Sequence, residues 1–340
     1  MKEREAFLDR LRVLATCAVV LLHTVTGVMD NTDMGLYPAE KKVFLVVMDL
    51  VCWCVPVFLV ISGYLFLNPE RKLSMGKMIV KYCRRIALAL FLFGVPYGCV
   101  ELVAMEGGFR PGMLGEAILM VLRGESWSHM WYLYLILFLY AITPFLKWVL
   151  EAIPRWAVYL VLLALFLGCS VLPYVNELFG WEEGFALPGD GIYFFYYICG
   201  YMYATAGKGR HRRAVRSGIL PGAALLLAAG MAISRLSGRY VLQMAYNYPF
   251  TVLLTLVLFS WGNGTEHLEG AFWERAAAIS FAIYLIHPVF LNFAYKFLHV
   301  TPLAFGLGLS LPLFFTGTVL LSAICAWMLC RIRLLRKYVL

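Results

Sequence analysis

Two side chains able to do proton and charge chemistry sit where an apolar stretch leaves them little water. In "LDRLRVLATCAVVLLHTVTGVM", Leu8 to Met29, Arg12 stands at the mouth of a membrane-length run and His23 deep inside it. They are eleven positions apart, close to three helical turns. Both therefore project from one helix face, about 16 Å apart along the axis. Imidazole exchanges a proton near neutral pH, and an ionisable group inside a span is by default a functional candidate. The structural alternative is a histidine bonded to a neighbouring helix as glue.

Other candidates lie further along. Asp49 falls six residues into the second apolar run, at the depth expected of His23. A lone carboxylate there costs roughly 2.5–3.5 kcal/mol. Beside an imidazole it would cost less and orient the ring, as the third group of a hydrolase triad does; otherwise it is hydrated near the surface. Lys81, Arg84 and Arg85 open the third run. They either anchor to anionic headgroups or clamp a phosphate, for which guanidinium is suited. His129 precedes "MWYLYLILFLYAITPFL", which contains Trp131. "VPVFLVISGYLFL" brings Pro56, Ser62 and Gly63 into a span, where they permit bending and close helix contact. "SFAIYLIHPVF" places His287 before Pro288, which frees a carbonyl one turn earlier. His287 then either acts in the site or satisfies that local polarity.

The elements that must position these groups follow from composition. The chain has 340 residues, 62% hydrophobic and 14% charged. A soluble domain of this size could not cover so much apolar surface with so few charges. The runs are long and show no two-residue alternation, which excludes a β-barrel and leaves an all-α polytopic membrane bundle. Ten spans are predicted, over 12–29, 43–67, 86–105, 130–150, 156–173, 191–207, 218–234, 246–262, 276–297 and 304–330. With both termini cytoplasmic, 22 of the 29 Lys and Arg fall on the inner side, as the positive-inside tendency requires. "RKLSMGKMIVKYCRRI" and "GKGRHRRAVR" are the most basic inner stretches, and the outer loop "PYVNELFGWEEGFALPGDG" holds four acids and no base. The net charge of +9 is thus topological and implies no nucleic-acid partner. Nine cysteines fall in apolar runs and read as small core residues, with no metal-ligand spacing. Without a small-residue cleavage site after "MKEREAFLDRLR", the first span is expected to be retained. Residues 1–340 are read as one membrane domain.

The order of these elements resembles acyltransferase family 3, the integral-membrane O-acyltransferases of bacterial cell-envelope glycans. The likeness is carried by "LDRLRVLATCAVVLLH", "VPVFLVISGYLF", "MWYLYLILFLYAITPFL" and "AISFAIYLIHP", from the first span to the ninth. The family's Arg-x10-His signature falls on Arg12 and His23, and its preceding aspartate on Asp9. The resemblance implies that His23 is the catalytic base or a transient acyl acceptor, with Arg12 an essential partner. It implies acyl-CoA, acetyl-CoA by default, as donor, held by Lys81, Arg84 and Arg85. It implies a hydroxyl of an envelope glycan or lipid-linked sugar as acceptor, near His129 and Trp131, and a bacterial cytoplasmic membrane location. One departure is visible: relatives carry an Arg-x-x-Arg pair opening the third span, whereas Tyr82 stands three before Arg85. The chain resembles the short, stand-alone members. The other reading is a membrane transporter, for an amino acid or an acyl group, on the same fold. Ten spans with Pro/Gly-broken helices suit it, although no inverted hydropathy repeat is visible.

Overall fold

The computed structural model describes residues 5–181, 186–206, 222, 229–230, 245–263 and 270–340. Among them there are helices and turns and no strand. Seven helices are long and apolar enough to cross a bilayer. They are Ala6–Asn31, Pro38–Phe66, Met75–Glu106, Ser128–Ala152, Arg155–Phe179, Ala271–Phe297 and Leu307–Arg331. The chain is a multi-pass membrane protein of the all-α class. Two expected spans are shorter helices, Gly191–Thr205 and Pro249–Asn263, of 15 residues each. That is about 22 Å, less than the hydrocarbon thickness. The span expected over 218–234 and the basic stretch "GKGRHRRAVR" fall outside the described residues, apart from 222, 229 and 230.

We number the helices used below α1 (Ala6–Asn31), α2 (Pro38–Val51), α3 (Cys54–Phe66), α4 (Met75–Glu106), α5 (Met113–Arg123), α6 (Trp131–Ala152), α7 (Arg155–Phe179), α8 (Gly191–Thr205), α9 (Pro249–Asn263), α10 (Ala271–Asn292) and α11 (Leu307–Arg331). The first is central, packing against α2, α3, α9, α10 and α11. Its buried face includes Leu8, Leu11, Ala15, Val19, Leu22 and Val25, the three- and four-residue spacing of a helix stripe. The rim inverts the soluble pattern: Leu309, Leu313, Leu320, Ile324 and Trp327 of α11 are all exposed, as residues facing acyl chains would be.

Three local features aim the site. Pro56 has no amide hydrogen for the Cys52 carbonyl, and the second span breaks at Cys52–Trp53. Below the break, α3 and α8 cross backbone to backbone. A Cβ at Gly63 would lie 1.9 Å from the Tyr197 carbonyl oxygen, and one at Gly200 2.3 Å from the Tyr64 nitrogen. No side chain fits at either position. In α4 the turn Met78–Cys83 is a π-helix, which shifts the angular register of the residues around it.

Candidate active site

His23 does not stand alone. His129, in the one-turn 3₁₀ segment Ser128–Met130, and His287 of α10 converge on it. Ring centroids are 5.2 Å apart for His23 and His287, 6.3 Å for His23 and His129, and 5.8 Å for His129 and His287. Aromatic rings wall the cluster. Tyr284 packs against both His129 and His287, and Tyr97, stacked on Trp127 at 4.2 Å, packs against His129.

The histidines are fixed to different degrees. His287 is fully buried, with Nδ1 3.1 Å from the Ile283 carbonyl and within reach of the Tyr284 carbonyl that Pro288 leaves without its helical donor. A carbonyl only accepts, so Nδ1 carries the proton and Nε2 presents a lone pair. Among the described residues that Nε2 has no partner. His129 is likewise buried, its ring bonded to the Leu285 carbonyl and its Nε2 unpartnered, while its own carbonyl accepts from the Tyr284 hydroxyl. His23 is half-buried and faces open space. Among the described residues no group of three or more His, Cys, Asp or Glu is arranged to hold a metal.

Two cavities meet at this cluster. One, of about 710 Å³, is lined by all of His23, His129, Asp30, Glu101, Glu125, Trp127 and Lys296, among others. Glu101 accepts from the Trp127 indole at 3.1 Å and pairs with Lys296 at 3.5 Å. The other, of about 510 Å³, includes Asp9, Arg12, Ser62, Arg71, Tyr82, Arg85 and Leu340 in its lining. Val19, Tyr284, Tyr132 and Leu133 also line it. Each is one turn along its helix from a histidine: Val19 from His23, Tyr284 from His287, and Tyr132 and Leu133 from His129. The septum between the cavities is therefore about one turn thick, roughly 5.4 Å. Ser62 bonds the hydroxyls of Tyr132 and Tyr140 on the Arg-bearing side.

Every guanidinium of the second cavity is held by the protein. Arg12 donates to the buried Asp9 at 3.0 Å. Arg85 donates to the Val339 carbonyl at 3.0 Å and lies over Phe281. Arg71 donates to the Leu65 carbonyl at 3.1 Å and the Tyr82 hydroxyl at 3.0 Å, over the face of Phe66. The buried Lys147 ties down the Arg71 loop, donating to the carbonyls of Asn68 and Arg71, each at 2.6 Å.

The residues singled out in the sequence sort as follows. Arg12, Asp9, Ser62 and Arg85 line the guanidinium-bearing cavity, labelled the inner one after the orientation expected from the sequence. His23 and His129 line the outer one, and His287 sits behind them. Lys81 and Arg84 do not join Arg85: both are exposed, Lys81 beside the Tyr82 ring and Arg84 over Tyr338. Trp131 packs on Tyr132, Tyr193 and Tyr246, away from the acceptor side. Trp127 takes that place, because the 3₁₀ turn rotates α6 relative to the segment before it. Asp49 is not brought to His23. Its depth suits, but it is on the face of α2 towards Cys52 and Tyr248, and its neighbour Met48 faces the histidine cavity. Arg71 and Trp127 are not distinguished by sequence, the first lying within a basic stretch and the second being one of nine tryptophans.

A family model described as acyltransferase domain matches residues 5–331. No curated protein and no solved structure matches the chain. The chain belongs to the acyltransferase family.

Proposed function

From that membership, we propose that the protein is an O-acyltransferase that moves an acyl group, acetyl by default, from cytoplasmic acyl-CoA to a hydroxyl of an envelope glycan or lipid-linked sugar. The observation that carries this reading is the histidine septum, with a guanidinium-lined cavity on one side and a carboxylate-bearing cavity on the other. The Arg12, Arg71 and Arg85 cavity takes the anionic donor, since guanidinium matches phosphate oxygens in geometry and charge. Its end faces the cytoplasm of the bacterial inner membrane. The thioester reaches past Val19 and Tyr284, and the sugar enters past Trp127 and Glu101.

His23 then acts as base. Its bare nitrogen takes the hydroxyl proton as the sugar oxygen attacks the thioester carbonyl, and the C–O bond forms. The C–S bond breaks, and the leaving CoA sulfur takes the proton back from His23. An acyl-imidazole on His23, later attacked by the same hydroxyl, balances in the same way.

A His23→Ala variant, purified in lipid nanodiscs, tests this with radiolabelled acetyl-CoA and glycan-bearing membranes from a deletion strain. Acetyl incorporation should fall by at least about 100-fold with the thermal melt unchanged. Undiminished incorporation would sink the reading, and loss of solute uptake in its place would favour the transporter.

A further inference from the structure

The base so proposed lacks an orienting group. The carboxylate that matched it in depth, Asp49, faces elsewhere. A histidine base needs its tautomer fixed, because a neutral ring has one N–H and one lone pair, and only the lone pair facing the substrate can take a proton.

Resting on the acyltransferase reading, we propose that His287 is the positioning residue for His23, accepting its inner N–H so that the other nitrogen faces the acceptor hydroxyl bare. Three observations converge. The His287 ring is locked by Ile283 with its proton on Nδ1, so Nε2 is an acceptor. This Nε2 is wholly enclosed and unpartnered, a state that costs about 1–3 kcal/mol unless a donor arrives during the cycle. The His23 ring is the nearest, its centroid 5.2 Å away. With about 1.1 Å from each centroid to its nitrogen, facing nitrogens would be about 3 Å apart, a hydrogen-bond length. The rings are tilted by 45°, so rotation of the His23 ring within the cavity closes the bond without moving either backbone.

A neutral partner differs from a carboxylate in one respect. It fixes the tautomer but adds no charge to stabilise the imidazolium formed during turnover. The groups facing His23 are His129 and His287, with Asp30, Glu101, Glu125 and Lys296 around the cavity wall. Replacing His287 by an acid therefore adds a close negative charge, raises the basicity of His23 and moves the acid limb of the kcat profile to higher pH. That shift reports the closeness of the two side chains, and recovery by a neutral acceptor at position 287 separates positioning from a purely structural role.

The test uses the same nanodisc assay. His287→Phe should lower kcat by about 100-fold or more, with the KM for acetyl-CoA within two-fold. His287→Gln, whose amide oxygen accepts, should recover part of the loss, and His287→Glu should shift the acid limb upward. Asp49→Asn should leave kcat unchanged. If His287→Phe does not fold, the Gln and Glu variants carry the test, and an unshifted acid limb in His287→Glu overturns the proposal. An active His23→Ala sinks the acyltransferase reading itself. An inactive His23→Ala beside an active His287→Phe sinks this inference alone.

Discussion

The two cavities are of similar kind and opposite chemistry. The inner one gathers three guanidiniums, each already docked on a protein acceptor, with those of Arg71 and Arg85 also lying over aromatic rings. The outer one gathers Asp30, Glu101 and Glu125 around a single lysine. Pre-docked guanidiniums lose little freedom when an anion arrives, so the inner cavity is organised for a charged ligand before it binds. The outer cavity repels anions and presents acceptors to hydroxyl groups. On the proposed reading the donor and the acceptor come from opposite sides of the membrane, and the opposed charges would keep each in its own cavity.

The largest effect that could break this comparison is expected on the inner side. Arg85→Ala removes a guanidinium while leaving only the Val339 carbonyl unpaired. A lost charge-assisted hydrogen bond is worth about 1.5–3 kcal/mol, or roughly 10- to 150-fold in the KM for acetyl-CoA. Lys81→Ala and Arg84→Ala, which change equally basic but exposed side chains a few residues away, should leave that KM within two-fold. Equal effects from all three would mean that the cluster acts as a diffuse headgroup anchor, and the inner cavity would lose its assignment.

A smaller effect is expected on the outer side. Glu101→Gln keeps an oxygen for the Trp127 indole and removes the charge that pairs with Lys296. That pair is partly exposed, and such pairs contribute about 0–1 kcal/mol. The KM for the acceptor should change about three- to five-fold, with the donor KM unaltered. A change in the donor KM would show that the septum does not separate the two reactants.

The sequence carried those parts of the site that depend on one helix. Arg12 and His23 share a face because eleven residues are nearly three turns, and no tertiary contact alters that. The parts that depend on two helices were only partly legible. Matching depth placed Asp49 level with His23, but depth leaves angle open, and the break at Cys52–Trp53 sets where α2 points. Lys81, Arg84 and Arg85 looked equivalent as a basic run, and a π-turn lies across their register. His129 and His287 were visible singly, each beside a Trp or Pro landmark. His287 meets His23 through the packing of α10 on α1, and His129 is tied to α10 through the Tyr284 hydroxyl, neither of which local spacing encodes. The fold class was legible throughout, because a bilayer demands long apolar helices whatever the partner choice.

The smallest effect tests how the inner cavity obtained its third guanidinium. Tyr82 stands three residues before Arg85, and its hydroxyl meets Arg71, eleven residues earlier. Tyr82→Phe leaves the guanidinium its bond to Leu65 and its seat over Phe66, so Arg71 stays in the cavity with one hydrogen bond fewer. One such bond is worth about 0.5–1.5 kcal/mol net, and with two restraints remaining the lower figure applies, a rise of about two-fold in the KM for acetyl-CoA. Arg71→Ala should exceed it, and Tyr82→Phe made on Arg71→Ala should add nothing further, since the hydroxyl acts through that guanidinium. Full additivity of the two changes would instead give Tyr82 its own contact with the donor. The inner cavity would then offer the donor a phenol beside its three arginines, and the contrast with the outer cavity would rest less on charge alone.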